Sequence, residues 1–189
     1  MSQAQVQSVP SSVLPSGMWD IDPDHSNVEF VARHLLSRVR GRFAAFEGAL
    51  TVGDDPADSS VEITIDADSI ETRQPERDAH LRSPDFLDAD RFPHLRFRST
   101  AVRVLDAGRA EIDGELTIRD VTRPVTLDVE YLGWSDDPYG GKRAGFSART
   151  AIERDEFGAS WNVVVETGGL LVGKLVQIEL EIEAVLRPS

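Results

Sequence analysis

Apolar and polar side chains alternate along residues 176–186, VQIELEIEAVL, almost to the end of the segment. One face would carry Val176, Ile178, Leu180, Ile182 and Ala184, and the other one glutamine and three glutamates. Successive side chains of a β-strand point to opposite sides, so the pattern predicts a strand with one buried face. Such one-sided alternation is typical of antiparallel sheets, because parallel strands are usually apolar on both faces.

The same period of two extends outward from this strand over most of the chain. The other alternating segments are residues 27–34, 39–52, 61–67, 95–101, 110–118, 125–131 and 144–152. Turn-forming residues separate several of them, as in GDDP at 53–56 and DAG at 106–108. The sequence therefore predicts an all-β domain of eight antiparallel strands, either a sandwich or a closed barrel.

Two segments interrupt this rhythm. Residues 75–88, PERDAHLRSPDFLD, begin with a proline suited to a first helical turn and carry early acidic residues. They predict one short helix between the third and fourth strands, limited to two or three turns by Pro84. Residues 153–174 have no regular period and are expected to form a long loop with a short strand or turn of its own.

Small side chains on the predicted inner faces bear on whether a barrel would be filled or hollow. The set is Ala32, Ala67, Ala101, Ala110, Gly114, Ala144, Ala148 and Ala184. An eight-stranded barrel either is just filled by its side chains or holds one small ligand. Small inward residues leave volume for an apolar guest, or they merely fit the taper of the barrel and contacts between sheets.

The composition narrows the possible partners. The net charge is −13, from 33 acidic and 20 basic residues, which repels nucleic acid and anionic membranes at long range. No apolar run approaches the length of about 18 residues that a membrane span needs, so no stable membrane insertion is expected. Residues 1–17, rich in Gln, Ser and Pro, are expected to be a flexible tail without signal-peptide features. Residues 18–189 would form the barrel, and a cytoplasmic location is the default expectation.

The sequence gives little reason to expect catalysis. There is no cysteine, which excludes thiolate nucleophiles and cysteine-ligated zinc or iron–sulfur clusters. The four histidines lack the spacing of a helical zinc site, and no nucleophile-elbow, P-loop or dinucleotide-binding motif is present. We therefore expect a protein that is not an enzyme and has no metal or cofactor site.

The residues predicted to contact a guest are inward-facing members of the strands, together with two histidines. They are Phe30, Ala32, His34, Ile63, Ile65, His80, Phe97, Ile112, Leu116, Leu127, Val129, Phe146, Ala148, Ile178, Leu180 and Ile182. For the apolar members, the alternative is plain core packing. His34 would either hydrogen-bond a ligand head group or be a buried structural histidine. His80 would either line a portal or belong to a surface cluster of helix ion pairs.

Two further sets of side chains are candidates for the ends of the barrel. Arg38, Arg40 and Arg42 could attract a phosphate or carboxylate head group, or could simply balance the acidic outer faces of neighbouring strands. Trp161 and Asn162 could close one end of the barrel, or could only anchor their own loop.

Several motifs, in this order along the chain, resemble one family. They are WDID at 19–22, DHS at 24–26, VRGRF at 39–43, RDAHLRSPDF at 77–86 and GELTIRDVTRPV at 114–125. Together they resemble the YceI-like family of bacterial proteins, which has a lipocalin-like fold and is described as polyisoprenoid-binding. The resemblance covers about residues 18–186. The chain departs from the family pattern at Lys174, which stands where an acidic residue is usual after Val172–Gly173.

The resemblance implies an eight-stranded barrel around a long apolar pore, with the short helix near one end. It implies binding, sequestration or transport of a long-chain isoprenoid, a prenyl quinone or a fatty-acid-like molecule, and a possible homodimer. The alternatives are an enzyme acting on a lipid-like substrate in the same cavity and a structural or partner-binding barrel with a filled core.

Overall fold

A computed structural model describes residues 13–138, 140–164 and 171–188. In these residues the chain forms strands β1 Gly17–Ile21, β2 Asn27–His34, β3 Ser37–Phe43, β4 Phe46–Val52, β5 Ser60–Asp66, β6 Ile70–Glu71, β7 His94–Asp106, β8 Arg109–Ile118, β9 Val121–Asp136, β10 Lys142–Glu153 and β11 Val172–Leu186. One α-helix, α1, spans Pro75–Arg82. Short 3-10 turns occupy Pro56–Asp58, Ala67–Ser69 and Arg154–Phe157.

The strands close into a barrel. Each long strand pairs antiparallel with its neighbours in the order β4-β5-β7-β8-β9-β10-β11, and β1 bonds to both β4 and β11. Strands β1 and β2 are two halves of one bent strand, and β3 and β4 are halves of the next, because each half pairs with the corresponding half. The predicted eight-stranded antiparallel barrel is therefore confirmed, with two-residue β6 added beside β3.

The helix lies where the sequence predicts it, between the third and fourth barrel strands, but it ends earlier than residue 88. Gln74 caps its start by accepting a hydrogen bond from the amide of Arg77, and Pro75 takes the first turn. The amide of Ser83 bonds to the carbonyl of His80, and Pro84, which lacks an amide hydrogen, follows directly. The expected turn in the late loop is the 3-10 turn Arg154–Phe157, whereas residues 165–170 lie outside the described part of the chain.

The first described residues lie against the barrel. Residues 1–12 of the predicted tail lie outside the described part. The indole nitrogen of Trp134 donates to the carbonyl of Val13 at 2.8 Å, and that of Trp19 donates to the carbonyl of Pro15 at 3.1 Å. Two tryptophans thus hold the segment that leads into β1.

A β-bulge in β7 changes which side chains face inward. The pairing of β7 with β8 shifts between Ser99 and Ala101, and the Ser99 hydroxyl accepts the amide of Val61 at 2.8 Å. An extra residue in a strand reverses the faces of all residues beyond it. Ala101, predicted to point inward, is therefore exposed, and Val102 and Val104 line the interior instead.

Three of the eight small residues predicted to face inward accommodate large neighbours and do not leave space, whereas Ala110 and Ala148 line the interior cavity. Ala144 and Ala184 pack against Trp19, whose side chain is 1% exposed. Gly114 lies under the ring of Phe97, where a Cβ atom would overlap the ring and stand 2.7 Å from the Arg98 carbonyl oxygen. For these positions the packing explanation is correct, since each small residue faces a bulky one.

We expect Gly114→Ala to destabilise the barrel, because the new methyl group meets backbone as well as the Phe97 ring. The free energy of unfolding, measured by guanidinium denaturation, should fall by about 1–3 kcal/mol. The control is Gly145→Ala on β10, where the nearest atom to a new Cβ is that of Leu132 at 3.5 Å, an ordinary contact. Equal stability of the two variants would contradict the packing described for Gly114.

Candidate ligand-binding site

A cavity of about 450 Å³ occupies the barrel interior. All eight strands of the barrel and the described N-terminal segment contribute apolar side chains to it, among them Leu14, Ile21, Leu50, Ile63, Val102, Ile112, Leu127, Phe146, Ala148 and Leu180. The volume lies within the range of ~300–1,000 Å³ in which proteins commonly hold small organic ligands. The barrel is therefore hollow in this part, and its wall is hydrophobic.

Polar groups gather where the cavity opens. Its rim is formed by residues 53–56, between β4 and β5, and by the β7–β8 turn at 106–109. In that turn the Arg109 guanidinium bonds to the Asp106 carboxylate at 2.9 Å. The pKa of Asp106 is lowered, first by the amide of Gly108 and then by Arg109. This end, which we call the mouth, thus carries fixed charges above an apolar interior.

Tyr131 lies on the wall near the mouth. Its backbone amide donates to the Gly108 carbonyl at 2.7 Å, which ties β9 to the β7–β8 turn. Its ring packs against Phe146 with centroids 5.5 Å apart. Burial raises the pKa of the Tyr131 hydroxyl, so the phenol stays neutral over the physiological range.

A second, smaller cavity of about 80 Å³ lies deeper in the barrel. Its wall includes Phe30, Ile65, Phe97, Leu116 and Ile178. Ile63, Leu127 and Leu180 line both cavities, so the smaller one continues the larger one away from the mouth. Together they form an apolar channel along the barrel.

The far end of this channel is closed by packed side chains. Phe157 is 1% exposed and belongs to the same core cluster as Ile118 and Ile152, at the ends of β8 and β10. Arg119, in the β8–β9 turn, donates from Nη1 to the carbonyls of Phe86 and Gly158 at 3.3 and 2.8 Å. The loop after α1 and the loop after β10 are thus joined across the barrel end.

Arg154 fixes the loop that covers this closed end. Its guanidinium is 6% exposed and donates to four backbone carbonyls, those of Ala159, Trp161, Val172 and Gly173. Burial lowers the pKa of the Arg154 guanidinium from its ordinary value, although the group stays charged. A buried cation bonded to four carbonyls is costly to disturb, because each carbonyl would lose a charged partner.

Most of the residues predicted to contact a guest line these two cavities. They are Phe30, Ile63, Ile65, Phe97, Ile112, Leu116, Leu127, Val129, Phe146, Ala148, Ile178, Leu180 and Ile182. Ala32, His34 and His80 do not line them. The predicted apolar set therefore lies together in space, and the contact of each member with a guest stays a prediction.

The two histidines of the predicted set lie outside the channel. His34 ends β2, pairs with Ser37 and Val172, and accepts the Ser37 hydroxyl on its carbonyl. His80 lies on α1, with Nε2 2.8 Å from the Asp85 carboxylate and its ring edge-on to that of Trp161 at 4.5 Å. The partner of His80, Asp85, lies beyond the end of α1, so the predicted cluster of ion pairs within the helix does not form around His80. Trp161 packs against His80 and Phe86 at the closed end.

The arginines of β3 lie outside the channel too. Arg40 bonds to Glu29 and Glu179 on neighbouring strands, and Arg42 bonds to Glu71. For Arg40 and Arg42 these contacts match the interpretation that the arginines balance acidic outer faces, whereas Arg38 has no ion-pair partner among the described residues. The Asn162 side chain bonds to both the amide and the carbonyl of Val172, which anchors its loop.

Sequence reasoning missed several lining residues. Val102 and Val104 were missed because the bulge at Ser99 was not foreseen, although the alternation Val102-Arg103-Val104 in the opposite phase is a signal for it. Val13 and Leu14 were missed because they precede the first alternating segment, which gave them no assigned face.

Asp22, His25 and Glu183 come close enough together to hold a metal ion. The Arg143 guanidinium already lies among them, 2.6 Å from the Asp22 carboxylate and 2.9 Å from that of Glu183. Chiefly through its hydrogen bond to Arg143, the pKa of Asp22 falls to about 2. Since an arginine neutralises these carboxylates, we assign the cluster to fixing the corner between β1 and β2.

In the described residues no helix has the length and apolar character to cross a membrane.

Comparison with known proteins identifies relatives over most of the chain. The family model described as "YceI-like domain" matches residues 19–184. A protein named YceI from Escherichia coli O157:H7 is 41% identical over 152 residues, covering 79% of each chain. A UPF0312 protein of Vibrio cholerae is 36% identical over 165 residues, covering 85% of this chain and 82% of its own.

Solved structures share the architecture. The Campylobacter jejuni YceI protein superposes with a TM-score of 0.72 at 26% identity, covering 82% of this chain and 90% of its own. BcnA of Burkholderia cenocepacia gives a TM-score of 0.73 at 23% identity, covering 86% and 98%. A domain from Saccharophagus degradans, described as polyisoprenoid-binding, gives 0.61 at 13% identity, covering 89% and 98%. The last two likenesses concern the fold alone.

We expect Arg154→Met to loosen the closed end, because four carbonyls lose a charged donor. The free energy of unfolding should fall by about 2–4 kcal/mol, and amide exchange should quicken in residues 158–164. Arg149→Met is the matched control on the preceding strand, β10, since its side chain is 78% exposed and, among the described residues, its ion pair is with Asp128, an interaction worth about 0–1 kcal/mol. Unchanged exchange in the first variant would contradict the role given to Arg154.

Proposed function

The chain belongs to the YceI-like family, and from that premise we propose that its barrel binds a hydrophobic, isoprenoid-like or other long-chain amphiphilic molecule. The observation that carries the proposal is the cavity itself. It is apolar along its wall, opens at one end among charged groups, and continues into a smaller apolar cavity. An amphiphile with its chain inside and its polar group at the mouth complements both parts.

The geometry favours a guest with a flexible chain over a compact one. The deeper cavity is reached past Ile63, Leu127 and Leu180, which line both spaces. A chain that fills the channel and buries about 300 Å² of apolar surface gains roughly 7 kcal/mol at about 25 cal/mol per Å². Association costs of about 4 kcal/mol or more reduce this gain, so affinity would depend on how much of the chain is buried.

The mouth supplies polar partners for a head group. Arg109 can donate to a quinone, carboxylate or phosphate oxygen while Asp106 holds its guanidinium in place. Asp54 and Ser59 also lie at this opening and can accept or donate hydrogen bonds. These groups would orient the guest, and the apolar wall would supply most of the binding free energy.

The proposed role is carriage or sequestration of the guest without chemical change. Within the described residues, the charged groups that line the cavities are Asp54, Asp106, Arg109 and Glu29. Asp106 is bonded to Arg109, and Glu29 is bonded to Arg40 on the outer face. This arrangement offers no paired acid and base beside the chain of a guest. A relative of the same fold is described as polyisoprenoid-binding, which supports this choice of guest class. By the family resemblance we also propose a homodimer, which sedimentation velocity tests. A cytoplasmic location is a separate proposal, which cell fractionation tests.

The direct test is mass spectrometry of an organic extract from protein purified without detergent. A stoichiometric prenyl or acyl compound would support the carrier role and name the guest class. An empty extract, together with no uptake of an added prenyl quinone or fatty acid, would refute it.

We expect Ala148→Trp to abolish uptake of a prenyl quinone, because the indole would project from β10 into the cavity. Affinity should fall at least about tenfold, as expected when several buried CH₂ groups of the guest are displaced. Ala151→Trp is the matched control, since Ala151 lies on the exposed face of the same strand. Fluorescence titration measures both affinities, and thermal unfolding verifies that both variants fold. Equal affinity in the two variants would place the guest elsewhere.

A further inference from the structure

The turn between β2 and β3 exposes two leucines. Leu36 is 96% exposed and Leu35 is 46% exposed. We call residues 33–38, Arg-His-Leu-Leu-Ser-Arg, the β2–β3 tip. Single exposed apolar residues are common, but an almost fully exposed leucine beside a second one at the apex of a hairpin contributes little to its own fold.

The backbone of the tip holds one of these leucines, Leu35, in an unfavourable conformation. Leu35 has a φ of 50°, in the left-handed region where two-residue hairpin turns normally place Gly, Asn or Asp. Arg119, in the β8–β9 turn, has a similar φ of 59°, and its guanidinium reaches two backbone carbonyls from there. Leu35 has no such side-chain bond to make, so its presence at this position calls for a contact outside the chain.

The tip is held firmly and adjoins further exposed apolar side chains. The amide of Leu35 donates to the carbonyl of Leu171 at 2.9 Å, and the amide of Leu171 donates to the carbonyl of Val163 at 3.0 Å. Val163 and its neighbour Val164 are 45% and 72% exposed. The leucines are therefore presented on a fixed projection with apolar side chains beside it.

Two arginines flank the leucines on one face of the hairpin. Arg33 pairs directly with Arg38, which places their Cβ atoms about 5 Å apart. Within residues 13–138, 140–164 and 171–188, neither has an ion-pair partner, whereas Arg40 on the same strand bonds to two glutamates. On a chain of net charge −13, this is a local positive site that the fold leaves uncompensated.

We propose that the β2–β3 tip docks the protein on an anionic phospholipid bilayer. Leu35 and Leu36 enter the boundary between head groups and acyl chains, and Arg33 and Arg38, set back from the apex, bind lipid phosphates. The leucines project at the apex and the guanidinium groups lie one step farther from it. This order matches a membrane surface, in which the acyl chains lie deeper than the phosphates. The mouth, rimmed by Asp54 and Asp106, lies at the other end of the barrel and is repelled by the same surface.

The test is co-sedimentation of the full chain with vesicles of phosphatidylcholine alone and of phosphatidylcholine with one third phosphatidylglycerol. We expect binding to the anionic vesicles only, falling as salt is raised. Leu36→Asp should weaken this binding by about tenfold or more, and Arg38→Glu by a similar factor. Both residues are exposed, so thermal unfolding should be unchanged.

Matched controls separate the tip from general surface properties. Leu105→Asp changes the charge equally at an exposed leucine of the mouth end, and Arg123→Glu does so at an exposed arginine of β9. Both should bind anionic vesicles as the parent does. Ala148→Trp should also keep vesicle binding, so that failure of docking is distinguishable from failure of cargo binding.

Three results would overturn the proposal. The first is that the parent protein does not sediment with anionic vesicles. The second is that the controls lose as much binding as the tip variants. The third is that Leu36→Asp changes the sedimentation coefficient of the free protein but not its vesicle binding, since the tip would then contact a second copy of the chain.

Discussion

The backbone amide and the backbone carbonyl of Glu183, in β11, both form hydrogen bonds to the corner between β1 and β2. Its amide donates to the Ser26 hydroxyl at 3.0 Å, and its carbonyl accepts the Asp22 amide at 2.9 Å and the Ser26 hydroxyl at 3.2 Å. At this corner the first barrel strand bends away from β11. The Ser26 side chain therefore forms the hydrogen bonds to Glu183 that a backbone partner would form in a regular sheet. The contact continues the seam in which β11 pairs with β1 on one side of the corner and with β2 on the other, and this seam closes a sheet that would otherwise have two open edges.

The same seam explains the density of charge around it. Arg143 extends from β10 to the carboxylates of Asp22 and Glu183, so three strands are joined by one guanidinium. The pKa of Asp22, about 2, shows how strongly the carboxylate is held in its ionised form. Because that pKa lies below its unfolded value, this contribution to stability is full above about pH 4 and is lost as the pH falls toward 2. Closure therefore rests on polar contacts at the surface as much as on the apolar core.

Alternation along the chain was sufficient to predict the strands, their antiparallel pairing and the position of the helix. Alternation was also sufficient to predict most of the channel wall, since β11 pairs with β10 without a register shift from Leu175 to Val185 and its inward side chains keep their face over these residues. It failed in β7, where one extra residue at Ser99 reversed the faces, because a bulge depends on partners that are distant in sequence. The small inward residues left a hollow and a filled barrel equally open, and each explanation holds for some of them: Ala148 faces the cavity, whereas Ala144 and Ala184 make room for Trp19.

The closed end has a consequence for how cargo is selected. A channel open at both ends would accept chains of any length. A channel closed at one end must bind and release its ligand through the one open end. The end of the ligand chain that enters first would leave last. Any part of the chain longer than the depth set by Phe157 and the Arg154 loop would stay outside in water. Each added CH₂ group would strengthen the binding free energy by about 0.8 kcal/mol until the channel is full, and further groups would contribute little. If the barrel carries a lipid as proposed, its closed end sets the length of chain that fits, and the protein would discriminate among homologous lipids by chain length.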